Sequence, residues 1–145
     1  KRCSTPTTRT IGAGEVCKGC MSNIHCYDKS HESELLALLK AEPDWDAFTT
    51  EDAVEVFKDV LLNSETFICK SHGNICGYLR ALVDGFGIYV SELYVAPGHR
   101  NSGNARELLQ KIKQQHPNQD AYVLSDEDRY YEKLGCKRVG SVFRL

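Results

Sequence analysis

The chain has 145 residues, 41% of them hydrophobic and 26% charged, which is the size of one domain with apolar content for one core. Its formal net charge of −2 excludes the basic excess of a nucleic-acid or anionic-membrane binder, and no run of about eighteen apolar residues is present to span a bilayer. Residues 1–20 lack the apolar core of a secretory signal, and seven scattered cysteines suit reduced thiols better than a disulfide frame, so a cytoplasmic protein is expected.

Residues 1–20 (KRCSTPTTRTIGAGEVCKGC) are rich in Thr, Gly, Lys and Arg, show no periodicity and read as a flexible N-terminal extension. Its cations Lys1, Arg2, Arg9 and Lys18 are spread out without interleaved aromatics, so neither nucleic acid nor membrane is expected as a partner. Cys17-Lys-Gly-Cys20 is one C-x-x-C half-site that Cys3, His25 and Cys26 could complete around zinc. A second such pair at comparable spacing is missing, and no metal is expected.

The patterned body, residues 21–145, opens with a short strand at Ile24 and Cys26. Asp28 or Ser30 caps a helix bearing Leu35, Leu36, Leu38 and Leu39, which Pro43 ends. Thr50 caps a second helix, whose Ala53, Val56, Phe57 and Val60 follow the spacing of one buried face. Strands at Thr66–Lys70, Ile75–Val83 and Phe86–Val95, joined by Gly73-Asn74 and Asp84-Gly85, predict an antiparallel meander. A third helix spans Asn104–Gln115 up to Pro117, and a buried strand spans Ala121–Leu124. A fourth helix, Asp126–Leu134, meets Gly135 at its C-terminal cap, and Arg138–Leu145 reads as a last strand. The class is α/β (α+β): a mixed, mostly antiparallel sheet flanked by about four helices.

The segment from Ser91 to Leu109 joins a strand, a glycine-containing loop and an amphipathic helix. Unpaired amides at a helix start, with Gly103 permitting close approach, form an anion site suited to a pyrophosphate, and Arg100 and Arg106 add charge. The plainer alternative is a strand-to-helix turn in which Gly103 only satisfies backbone geometry.

Arg100-x-x-Gly103-x-Ala105, preceded by Leu93-Tyr94-Val95-Ala96-Pro97 and followed by Leu108-Leu109, resembles the Q/R-x-x-G-x-G/A motif of the GNAT superfamily of acetyl-CoA-dependent N-acetyltransferases. Tyr130-Tyr131-Glu132-Lys133-Leu134-Gly135-Cys136 resembles that family's second signature, and the matching element order extends the likeness over residues 22–145. Asn104 departs from the apolar residue usual at its position, as Asn101, Ser102 and Cys136 depart at theirs. The resemblance implies a GNAT fold and an enzyme that moves acetyl from acetyl-CoA to a primary amine of a small molecule or peptide, directly, in a ternary complex. It implies pantetheine on Leu93, Tyr94 and Val95, and pyrophosphate on Asn101, Ser102, Gly103, Asn104 and Ala105 beside Arg100 and Arg106. Tyr131 matches the tyrosine that protonates the departing sulfur, and Glu92 is the candidate base, with a salt bridge to Arg80 as its structural alternative. Trp45 and Phe48, with Asp84 in the hairpin, are the candidate amine-binding residues. The rival expectation is a non-catalytic module of the same fold, binding acetyl-CoA or a protein partner. Pairing of the last strand between copies favours a homodimer.

Overall fold

A computed structural model describes residues 23–145. The expected extension, and the Cys3, Cys17 and Cys20 thiols considered for zinc, lie outside the described residues. Segments rich in β-branched and aromatic residues form β1 Ile24–Cys26, β2 Glu65–Ser71, β3 Asn74–Val83, β4 Gly87–Val95 and β5 Asp120–Val123. They make one sheet in chain order, antiparallel from β1 to β4 and parallel between β4 and β5. The expected meander is therefore present. Its second hairpin is tied by Asp84, whose carboxylate accepts from the amides of Phe86 (2.9 Å) and Gly87 (3.1 Å). A parallel step requires a crossover, and α4, Asn104–Gln115, supplies it.

The helices divide between the two faces of the sheet. Leu108 and Ile112 of α4 are fully buried against Cys69, Cys76, Leu79, Ile88 and Val90. On the other face α1, Glu32–Lys40, and α3, Glu51–Asn63, bury Leu35, Leu39, Phe57 and Leu61 against Ile68, Tyr78 and Tyr94. Each such side chain contributes about 1.5–3 kcal/mol of transfer free energy. A short helix that the sequence did not announce, α2, Asp46–Thr49, follows a 3-10 turn at Pro43–Trp45 and fills the link.

Five expectations are corrected. The strand expected to be buried, β5, lies at the sheet edge with Asp120, Ala121 and Tyr122 exposed. The buried face of α3 is Phe57 and Leu61, with Val54 and Val60 partly covered, because the sheet meets the helix there; Val56 is 66% exposed and, with Ala53, walls a groove instead. Strict alternation along Phe86–Val95 predicts that Glu92 shares a face with Phe86, Ile88, Val90 and Tyr94, but a slip in the β3–β4 register between Arg80 and Ala81 makes Ser91 a bulge residue. That extra residue reverses the alternation, so Ile88 and Val90 face α4 while Tyr94 faces α1. The last strand is absent: Arg138–Leu145 makes no ladder among the described residues, since Gly140-Ser141 interrupts its alternation, and Val139, Val142 and Phe143 stay exposed. Finally, Cys69, Cys76 and Cys136 are free as expected, but Cys26 is disulfide-bonded.

Candidate active site

The site is built where β4 loses a neighbour. β5 pairs with β4 only from Gly87 to Val90, whereas β3 accompanies it to Val95. The bulge at Ser91 stands at the point of parting. Ala96 donates its amide to the Cys76 carbonyl (2.8 Å), which sets the parity of the ladder. Tyr94 and Glu92 therefore exchange bonds with β3, and Leu93 and Val95 turn their amides and carbonyls toward the gap. Arg100 Nε donates to the Val95 carbonyl (2.8 Å), leaving the Val95 N–H and both Leu93 groups on the open edge.

After β4, a 3-10 turn at Pro97–His99 leads into the loop that starts α4. Asn101 (φ 60°) and Gly103 (φ 85°) are left-handed there, and nothing lies within 4 Å of a Cβ built on Gly103, so backbone conformation alone requires the glycine. The first helical bond runs from Glu107 N–H to the Gly103 carbonyl (3.0 Å). The amides of Asn104, Ala105 and Arg106 thus have no helical acceptor, and those of Asn101, Ser102 and Gly103 make no backbone bond among the described residues. A run of free donors on a positive helix end, with Arg100 and Arg106 exposed beside it, fits a pyrophosphate; a helix end alone favours an anion by about 0.3–1 kcal/mol.

Glu92 is 7% exposed and paired with Arg80: Nε donates to Oε2, and Nη2 donates to Oε1 at 2.7 Å. The Ser91 hydroxyl donates to the same Oε1 (2.9 Å) while accepting from Arg80 Nη2 (2.8 Å), so the bulge residue and its neighbour share one guanidinium. Glu92 holds the Arg80 guanidinium more firmly in its charged form, chiefly through that hydrogen bond. Arg80 also floors a groove of about 330 Å³ whose walls are Ala47, Phe48, Ala53, Val56, Phe57 and Val60. Ring contacts chain Trp45 to Phe48 (5.4 Å), Tyr78 (5.8 Å) and Tyr94 (5.3 Å). The Tyr94 phenol in turn donates to Glu42 (2.7 Å).

Tyr131 lies half-buried on α5, Asp128–Lys133, in edge contact with Tyr130 (5.2 Å). Burial, then the neighbouring Tyr130, Cys136 and Asp126, pushes its phenol up to about 12. The helix stops as its glycine predicts: Gly135 (φ 81°) donates to the Glu132 carbonyl (2.9 Å) and Cys136 to Tyr131 (3.0 Å), a Schellman ending. Tyr130 lies within electrostatic reach of Arg106 in the first turn of α4. The structure therefore brings Leu93, Val95, Arg100–Arg106 and Glu92 to one end of β4, with Phe48 on the groove that Arg80 shares. Asp84 it sets apart, at the opposite end of β4 roughly 23 Å from Tyr94 by strand rise, with its carboxylate occupied by its own turn. The bulge and the Glu42–Tyr94 bond carried no local sequence signal; Ser91 would have been found only by asking why Arg80 and Glu92 need to meet.

A GNAT acetyltransferase domain family matches residues 63–137, which takes in β2 to α5 and the whole of this end of β4. The chain belongs to the GNAT acetyltransferase family. No curated protein matches it by sequence. Among solved structures it resembles the aminoglycoside N-acetyltransferase AAC(6')-Iy in complex with the bisubstrate analogue CoA-S-monomethyl-acetylneamine, with TM-score 0.68 and 18% identity, covering 84% of this chain and 95% of that one. An aminoglycoside acetyltransferase from an uncultured soil metagenomic sample gives 0.66 and 23%, with coverages of 84% and 95%. A ribosomal-protein-alanine N-acetyltransferase from Brucella melitensis biovar Abortus 2308 gives 0.66 and 17%, with 84% and 97%. At these identities the likeness establishes the GNAT fold. Among the described residues no group of His, Cys, Asp and Glu converges as a metal site, and no helix is long and apolar enough to cross a membrane.

Proposed function

We propose that this GNAT acetyltransferase moves acetyl from acetyl-CoA to a primary amine of a small molecule or peptide, directly, in a ternary complex. One observation carries this reading: the amide-rich loop and the open edge of β4 are continuous, and the groove is lined by Arg80, whose guanidinium bonds the bulge residue Ser91. A cofactor laid along Leu93–Val95 and an acceptor entering past Phe48 then meet beside Ser91 and Glu92. The Val95 N–H faces the gap and donates to the acetyl oxygen as negative charge develops there. The new N–C bond forms as the C–S bond breaks, Tyr131 gives its proton to the departing sulfur, and the proton lost by the acceptor nitrogen passes through water to Glu92. Glu92 already accepts three hydrogen bonds, so we assign it to the acceptor side through water at its remaining Oε2 lone pair. Asp84 we leave to its turn, and Trp45 to the support of Phe48.

The shape of the groove supports one class of acceptor. The two aminoglycoside acetyltransferases and the ribosomal-protein acetyltransferase share this fold, and an apolar groove over a neutralised Arg–Glu pair suits an amine with an apolar flank. We also infer that the exposed Val139, Val142 and Phe143 pair with a second copy, giving a homodimer detectable by light scattering. The decisive experiment is calorimetry with CoA at micromolar protein, followed by thiol release from acetyl-CoA over a panel of amines. Binding with amine-dependent thiol release is expected. Failure to bind CoA sinks the proposal; binding without release for any amine supports a non-catalytic module instead.

A further inference from the structure

Asn104, the first residue of α4, is polar where the resemblance calls for an apolar side chain, and its surroundings account for the difference. Its Oδ1 accepts from the Cys69 thiol (3.4 Å), and its Nδ2 donates to the His99 carbonyl (2.9 Å). Behind it Cys76 Sγ donates to Cys69 Sγ (3.5 Å). Cys69 is fully buried in β2, so the far end of this chain of bonds is fixed in the middle of the sheet. His99 ends the turn before the loop and Asn104 begins the helix after it. One carboxamide therefore ties the two ends of the loop to each other and both to the sheet.

We propose that Asn104 is a positioning residue, which holds the amides of Asn101–Gly103 in their phosphate-binding arrangement before any ligand arrives. The proposal rests on reading this loop as the pyrophosphate seat. The donor behind it is permanent, because burial, with the neighbouring Cys76 adding to it, pushes the Cys69 thiol up to about 12 and keeps its proton in place. A thiol is a weak donor, but the Asn104–His99 bond is of ordinary length, and the two act at one carboxamide. The alternative, an apolar side chain packed on Leu108 and Cys69, would strengthen the helix–sheet contact and release the His99 carbonyl. Asn104 thus gives up packing for a preordered loop, and ordering before binding is a cost the ligand no longer bears.

That trade makes stability and affinity move in opposite directions, which a merely structural residue would not do. Asn104→Leu is expected to bind CoA about five- to tenfold more weakly by calorimetry. The KM for acetyl-CoA should rise by the same factor, with kcat changed by less than about twofold and Tm level or higher. Cys69→Val removes the donor and leaves the bond to His99; it should weaken CoA binding by about two- to threefold, and the double variant should be no weaker than Asn104→Leu alone. Unchanged CoA affinity in Asn104→Leu, or affinity and Tm falling together, overturns the proposal. If the leucine variant does not fold, full affinity in Cys69→Val overturns it. Absence of CoA binding by the unmodified protein would reject the reading of the loop itself, a separate result.

Discussion

The two halves of β4 share an aliphatic residue, a tyrosine and a valine, yet are paired differently. Gly87–Val90 lies between β3 and β5, bonded on both sides. Among the described residues Ser91–Val95 keeps β3 alone, so one row of backbone donors and acceptors faces a gap beside β5. A single extra residue separates them: a bulge bends and further twists its strand, so a straight neighbour cannot follow. An unpaired edge is a liability in most sheets. Here Arg100 covers one carbonyl of it, and the remainder is the edge along which we propose that the cofactor lies.

If the bulge is what separates the halves, removing the group that clasps it should have the largest effect. Arg80→Met leaves the Glu92 carboxylate buried without its partner, which costs about 3–5 kcal/mol of folding free energy. Urea denaturation measures this, and a loss under about 1 kcal/mol would mean that the Arg80–Glu92–Ser91 cluster is incidental to the parting of β5. The methionine variant should also lose activity faster than stability, since Ser91 and Glu92 would no longer be held where the proposed function has acceptor and cofactor meet.

The second test addresses the chemistry of the open half. Tyr131→Phe removes one oxygen from a half-buried ring and should lower kcat by roughly a hundredfold, about 2.7 kcal/mol, with CoA affinity nearly unchanged. The pH profile sharpens it. A phenol raised above its ordinary 10 to about 12 stays protonated below that range and loses its acid competence only as pH rises through it. The kcat of the unmodified enzyme should therefore show no decline assignable to Tyr131 between pH 7 and 10. Full activity of the phenylalanine variant would move the proton donor elsewhere, with Tyr130, beside Arg106, the next candidate.

Much of the doubly paired half was legible in the sequence, and less of the open half. Turn chemistry at Gly73 and Asp84, period-two apolar residues and the helix up to Pro117 placed β2, β3, the start of β4 and α4 within a residue or so. The loop was legible because Gly103 and the residues flanking it form a local signature. The Glu92–Arg80 salt bridge was legible as an alternative and is present, but the bulge was not, because it is a property of two strands: nothing in Ser91-Glu92-Leu93 says that Ala81 will sit opposite Val90 once Arg80 sits opposite Glu92. The groove was missed for a similar reason. Ala53, Val56, Phe57 and Val60 are spaced as a core face, and only the packing of Leu61 reveals that the helix is turned to leave all four lining an opening.

The smallest effect is expected in the loop that serves the open half, and a control in the same loop makes it readable. Gly103→Ala forces an alanine into φ 85° at a cost of about 1–2 kcal/mol, all of it conformational, because no atom lies near the new Cβ. Gly98, one turn earlier, also faces open space but has no positive φ, so Gly98→Ala should stay within about 0.5 kcal/mol of the parent. Denaturation of the two variants separates backbone strain from loss of space, and CoA titration then shows where the strain is relieved. If the loop in Gly103→Ala relaxes toward an ordinary backbone, the amides of Asn101–Gly103 turn away and CoA affinity falls further than stability does. If affinity follows stability only, the left-handed turn persists, and the open half of β4 draws its ligand from the helix end rather than from the loop.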